Sequence, residues 1–175
     1  MNAEIKKTTK YVVTHLEKKH NKAEFNCGID VLNEYLKIQA SQDMKKNVAV
    51  SYVLTTEESN RVLGYYTLSS IGIMAGELPQ DIIKKLPRYP ILPGILIGRL
   101  ARDNDCRRQE IGLYLLIDAL KRSLGISTQL GSVAVIVDAK NEKVKAFYKS
   151  FGLIEFPDNN RRLFIPMGTI KKLEL

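Results

Sequence analysis

Arg107 and Arg108 stand side by side just ahead of a stretch with helical spacing, Ile111, Leu115 and Ala119 on one face with Leu116 and Leu120 beside them. The helix is expected to open at about Gln109. Its first N–H groups have no acceptor within it and lie at the positive end of its dipole. Two guanidinium groups beside bare amides make a seat for an anion, and Arg107-Arg108-Gln109-Glu110-Ile111-Gly112 reads as a cradle for a pyrophosphate. The same residues would serve as a solvated turn before an ordinary amphipathic helix, so this stretch alone leaves the function open. Arg99 lies inside an apolar run, where a guanidinium is costly to bury unpaired. It binds substrate or pairs with a core carboxylate. His15 and His20 have no partners at a recognisable spacing and read as surface residues. Cys27 and Cys106 show neither a Cys-His-Asp pattern nor zinc spacing, so no covalent cysteine chemistry and no metal is expected.

The elements that must carry these groups follow from periodicity. Gly94 to Ala101 reads as a buried strand, Arg102 to Cys106 as a polar turn, and 109–124 as the helix, stopping near Gly125. Upstream, Tyr11 to His15 reads as a strand. Asp30 is placed to cap a helix from Val31 to about Met44 with Leu32, Tyr35, Leu36 and Gln39 on one side. Val48 to Thr55 and Val62 to Ser70 read as a hairpin. Gly72 to Pro93 holds Pro79, Pro87, Pro90 and Pro93 and reads as irregular, with one short helix after Pro79. Downstream, Ser132 to Asp138 is continuously apolar, as in a strand buried on both faces. Asn141 to Ser150 reads as a helix, and Leu153 to Phe156 and Arg162 to Pro166 as closing strands. The order βα, ββ, short α, βα, βα, ββ implies an α/β fold with a mixed sheet flanked by helices.

The 175 residues fit one domain, 1–175, and Met1 to Lys10 look weakly structured. The composition, 45% hydrophobic and 26% charged, is that of a soluble globular protein. No apolar run approaches the roughly 18 residues that span a bilayer, and the basic N-terminus lacks the apolar stretch of a signal peptide. No membrane partner is expected, and the expected compartment is the cytoplasm. The formal charge of +8 is spread along the chain rather than collected in a tail, which suits either an anionic partner such as nucleic acid or a generic basic surface.

Beyond these local readings, an ordered series of blocks resembles the GNAT acyltransferases, and within them the toxins of toxin–antitoxin pairs. The blocks are FNCGIDVLNEYLKIQASQD at 25–43, LPRYP at 86–90, IGRLARD at 97–103, LLIDALKRS at 115–123, VIVDAKN at 135–141, AFYKSFGL at 146–153 and RLFIPM at 162–167. The superfamily signature, Arg/Gln-x-x-Gly-x-Gly/Ala, falls on Arg107-x-x-Glu110-x-Gly112, with Glu110 where the family has glycine. The resemblance implies the GNAT fold with splayed central parallel strands, and acetyl-CoA as co-substrate, its pyrophosphate on Arg107 to Gly112. It implies that the backbone of Leu100 and Ala101 holds the pantetheine arm and that Asn141 contacts the cofactor, although Asn141 also suits a helix N-cap. Tyr148 is implied as the general acid that protonates the departing thiolate, a role that a phenol, protonated at neutral pH, can fill. The implied activity is acetylation of the α-amino group of aminoacyl-tRNA, a toxin's means of blocking translation, with Arg88 and Arg99 toward substrate. The implied protein partner is a ribbon-helix-helix antitoxin, and monomer and homodimer both stay open. Two other readings are an acetyltransferase for a protein or small-molecule amine, and a non-enzymatic nucleic-acid-binding regulator of the same fold.

Overall fold

The computed structural model describes residues 9–175. The expectation of weak structure at the N-terminus lies, for Met1 to Thr8, outside the described residues. The strands are β1 (Tyr11–His15), β2 (Val50–Thr56), β3 (Ser59–Met74), β4 (Ile91–Arg102), β5 (Ala134–Asp138), β6 (Ile154–Phe156) and β7 (Asn159–Pro166). They form a sheet in the order β1-β2-β3-β4-β5-β7-β6. β1 pairs antiparallel with β2, β4 pairs parallel with β5, and β7 runs antiparallel to both β5 and β6. The sheet is therefore mixed, as the element order implied. β4 pairs with β5 only from Gly94 to Ile97, and its last residues, Gly98 to Arg102, run on beyond that pairing.

The irregular stretch expected between Gly72 and Pro93 is shorter than the prolines suggested. β3 continues to Met74 and β4 begins at Ile91. Pro93 is accommodated because only its carbonyl is needed, accepting from the Val133 amide at 2.9 Å. The short helix after Pro79 is α3 (Gln80–Ile83). A final helix, α6 (Met167–Lys172), follows β7 without a break and was not expected.

The first long helix departs from the simple pattern in the middle. α1 (Asp30–Glu34) and α2 (Ala40–Lys45) are joined by a π-helical turn, Tyr35–Gln39. The Tyr65 hydroxyl donates to the Leu32 carbonyl at 2.8 Å and supplies a partner from outside the helix ladder. The extra residue shifts the apolar stripe, so Ala40 is fully buried where uninterrupted spacing put Gln39, which is exposed. Asp30 makes no side-chain cap. The Ile29 carbonyl receives the amides of Leu32 and Asn33.

The chain divides into two compact units. One holds the residues up to Tyr65 with Ala101–Leu115, around a core of Phe25, Leu36, Val53, Val62 and Tyr65. The other holds Tyr66–Leu100 with Leu116–Leu175, around Ile73, Leu92, Ile136, Phe156 and Phe164.

Candidate active site

In the first unit the end of β4 leads into the cradle through a 3-10 turn, Asn104–Cys106. Asp103, only 2% exposed, organises that turn. Its carboxylate accepts the Asn26 amide at 3.0 Å and the Asp105 amide at 2.9 Å, and lies 3.6 Å from the Arg61 guanidinium. Its own amide donates to Leu63, and the next amide, of Asn104, donates to Asn26. Gly28, at a φ of +81°, lets that loop close on the turn, since a Cβ there would meet the Asn104 amide nitrogen at 3.0 Å. The Arg107 guanidinium is bound to Asn104 Oδ1 at 3.0 and 3.2 Å.

The helix α4 (Ile111–Ser127) opens two residues later than its periodicity suggested, because Gln109 and Glu110 still belong to the turn. Ile111, Leu115, Leu116, Ala119 and Leu120 are buried as expected. The start of the helix lies tight on β3: a Cβ on Gly64 would meet Leu115 at 2.8 Å and Ile111 at 3.0 Å. Among the described residues no group accepts from the amides of Arg108, Glu110, Gly112 or Leu113. Arg108, Gln109 and Glu110 are exposed. Four open N–H groups and two guanidinium groups fit an anion; the exposed Glu110 carboxylate is the one charge set against it. Ala101 is buried at the end of β4.

In the second unit, α5 (Glu142–Ser150) starts at Asn141, whose side chain caps it by accepting the Val144 amide at 2.9 Å. The capping alternative for Asn141 is thus realised. Tyr148, two turns on, is 6% exposed. Burial first, and the Asp138 carboxylate second, push its phenol up to about 12, so it is fully protonated at neutral pH. No described group bonds its hydroxyl. Asp138 is itself held by Arg162 in a two-pronged pair at 2.8 and 3.0 Å. Leu100 and Arg99 are half-buried on β4, and Arg99 is engaged by a neighbour rather than free. Arg88 is exposed between Pro87 and Pro90.

Two groupings escaped the sequence reading. One is Asp103; its only outward sign is a carboxylate closing an apolar strand. The other is Tyr66, whose hydroxyl donates to Asp118 at 2.5 Å while Arg122 pairs with the same carboxylate at 2.8 Å, a link no local pattern shows. His20, read as a surface residue, is 6% exposed: its Nδ1 accepts the Glu17 amide at 2.9 Å, and burial, then Lys19, lowers its pKa. Burial raises the Cys106 thiol away from the thiolate form a nucleophile needs. Among the described residues no three His, Cys, Asp or Glu side chains gather as a metal site, and no helix is long and apolar enough to cross a membrane.

No family model matches the chain. It is similar to a protein of Sinorhizobium fredii named probable toxin TacT, at 30% identity over 89% of this chain and 90% of the relative. It is also similar to the tRNA-acetylating toxin of Mycobacterium tuberculosis, at 28% identity over 85% of this chain and 87% of that one. Among solved structures it resembles AtaT complexed with acetyl-methionyl-tRNAfMet, with a TM-score of 0.87 and 29% identity over 94% of this chain and 99% of the other. It also resembles a tyrosine-to-phenylalanine mutant of AtaT bound to the C-terminus of the antitoxin AtaR and acetyl-CoA, with a TM-score of 0.78 and 26% identity over 93% and 97% of the two chains.

Proposed function

The chain belongs to the GNAT toxins of toxin–antitoxin systems, and from that membership we propose that it moves an acetyl group from acetyl-CoA to the α-amino group of an aminoacyl-tRNA and so blocks translation. The observation that carries this reading is the agreement of the whole fold with a toxin solved on acetylated aminoacyl-tRNA, in a chain whose own cradle presents open amides and two arginines. The 175 residues act as one acetyltransferase domain.

Each residue has a role in this reading. The open amides of Arg108, Glu110 and Gly112, with the charges of Arg107 and Arg108, hold the pyrophosphate, and Gln109 and Ile111 complete the turn. The backbone of Leu100 and Ala101 holds the pantetheine arm, and Asn141 contacts the cofactor while capping its helix. The substrate's neutral amine attacks the thioester carbonyl, the C–N bond forms and the C–S bond breaks. Tyr148 gives its proton to the departing sulfur, and the amine's surplus proton goes to solvent. A general base is dispensable, because a free α-amino group has a pKa near 8, against about 10.4 for a lysine side chain. Arg88 and Arg99 face the tRNA, and the overall charge of +8 draws the polyanion in. An acidic or amphipathic tail of a ribbon-helix-helix antitoxin is received by the basic residues Lys84, Lys85, Arg88, Arg107 and Arg108. The enzyme works in the cytoplasm, without a metal and without a membrane, and a homodimer is compatible with these roles.

The test is transfer of labelled acetyl from acetyl-CoA in the presence of charged tRNA. Label is expected on the amino acid of charged tRNA, falling as salt rises, with uncharged tRNA bare. Label on protein lysines or a free polyamine, with charged tRNA bare, would replace this reading by that of a general amine acetyltransferase.

A further inference from the structure

We propose that Tyr11, Gln109 and Tyr114 form a binding face for the adenine ring of acetyl-CoA, a proposal that rests on the cradle holding that molecule's pyrophosphate. The residues lie together in the first unit, next to the open amides. Tyr114 sits one turn into α4 and is 46% exposed. The other exposed positions of that helix are Lys121 and Gly125, so a bare aromatic ring there is out of keeping with the rest of its outer face. A tyrosine serving only to pack would turn its ring inward, as Tyr65 and Tyr66 do at 0% exposure.

Tyr11, from the edge strand β1, meets Tyr114 edge to face at 5.6 Å with 66° between the rings. This contact holds the Tyr114 ring in place while leaving much of it open to solvent. The Tyr11 hydroxyl also donates to Gln109 Oε1 at 2.7 Å, which fixes the carboxamide. Held in this way, Gln109 keeps one lone pair and two N–H donors for a ligand. A carboxamide offering a donor and an acceptor together is the group that matches the N6 and N7 edge of adenine. A ring for stacking, an oriented amide for the base edge and a neighbouring phosphate seat are the three contacts an adenosine nucleotide asks for.

Adenosine could reach this face from the acetyl donor or from the 3′ end of a charged tRNA. The donor is favoured because its adenosine is joined to the pyrophosphate already placed on the same turn. The experiment is calorimetry on the wild type, Tyr114→Ala and Tyr114→Trp with two donors, acetyl-CoA and acetyl-4′-phosphopantetheine, which lacks the adenosine with its 3′-phosphate and keeps one of the two pyrophosphate phosphates. Base stacking on an aromatic side chain is worth between about fivefold and a hundredfold in affinity. Tyr114→Ala should weaken acetyl-CoA by about tenfold and leave the truncated donor unchanged, while Tyr114→Trp should bind acetyl-CoA as the wild type does. Unchanged acetyl-CoA affinity in Tyr114→Ala overturns the proposal, and so does an equal loss for both donors, which would mean a damaged cradle. A raised KM for charged tRNA with an unchanged acetyl-CoA affinity overturns it in favour of the tRNA terminus. If the wild type binds neither donor, the acetyltransferase reading itself fails.

Discussion

The turn from Asn104 to Glu110 faces solvent along most of its length, and the buried Asp103 carboxylate holds it by two backbone amides. Tyr148 lies 6% exposed in another setting, its phenol in contact with Phe147 and its hydroxyl bonded by no described group. The two regions are prepared for different tasks. Binding a charged group needs donors that stay open and a backbone that cannot relax away from them. Delivering a proton at neutral pH needs an acid that holds it there, as a phenol does, and a hydroxyl not engaged elsewhere. Under the proposed function the first region supplies affinity and the second turnover, and each substitution below tries to break that division.

The largest effect is expected from Tyr148→Phe, which removes one oxygen and little volume. General acid catalysis typically contributes about a hundredfold or more, so turnover should fall by at least that while acetyl-CoA affinity and thermal stability stay close to wild type. Weakened binding of acetyl-CoA by this variant would show that the two regions do not divide the work. The pH profile offers a second check on the wild type. Burial favours the neutral phenol, so its proton is lost only as pH rises through about 12. No falling limb from this tyrosine is expected in kcat/KM up to about pH 10.

Asp103→Asn comes next. The amide keeps the shape of the carboxylate but replaces one acceptor oxygen by a donor, leaving the Asn26 or the Asp105 amide facing an N–H group. An unsatisfied buried donor costs about 1–3 kcal/mol, which denaturant titration would detect. The KM for acetyl-CoA should rise several-fold, with kcat at saturating donor unchanged. A drop in kcat with KM preserved would place Asp103 on the turnover side.

The smallest effect is expected from Glu110→Gly, which restores the family's residue. Glu110 is exposed, and a solvent-facing charge interacts weakly with its surroundings. Calorimetry should find acetyl-CoA affinity within about threefold of wild type. A larger gain would mean that this carboxylate faces the phosphates and that the cradle is weaker than its open amides suggest.

The strand, turn and helix that carry Arg107 to Gly112 were legible in the sequence because all the signals lie within a few residues of one another: an apolar run, a polar break and a 3.6-residue period. The same holds for Asn141 and Tyr148 on one short helix. What escaped depends on partners far away in the chain. Asp103 is tied to Asn26, 77 positions earlier, and the π-turn at Tyr35 accompanies a hydroxyl of Tyr65, 33 positions beyond the carbonyl it serves. Periodicity cannot report either bond, nor that His20 would accept a backbone amide and be drawn inside. Glu110 was recognisable as a departure from the signature, but its exposure emerged only from the turn that delays the helix by two residues.

The division into two compact units has a consequence for how the protein is made. The chain passes from one unit to the other after Tyr65, after Leu100 and after Leu115. No single cut separates them into whole pieces, so neither is obtained by itself by truncating the gene at one point. During synthesis the unit bearing the cradle becomes complete first, once Leu115 has left the ribosome, and the unit bearing Tyr148 is still unfinished at that moment. A ribosome stalled between the two leaves a chain that carries the residues of the cradle but not yet Asn141 or Tyr148.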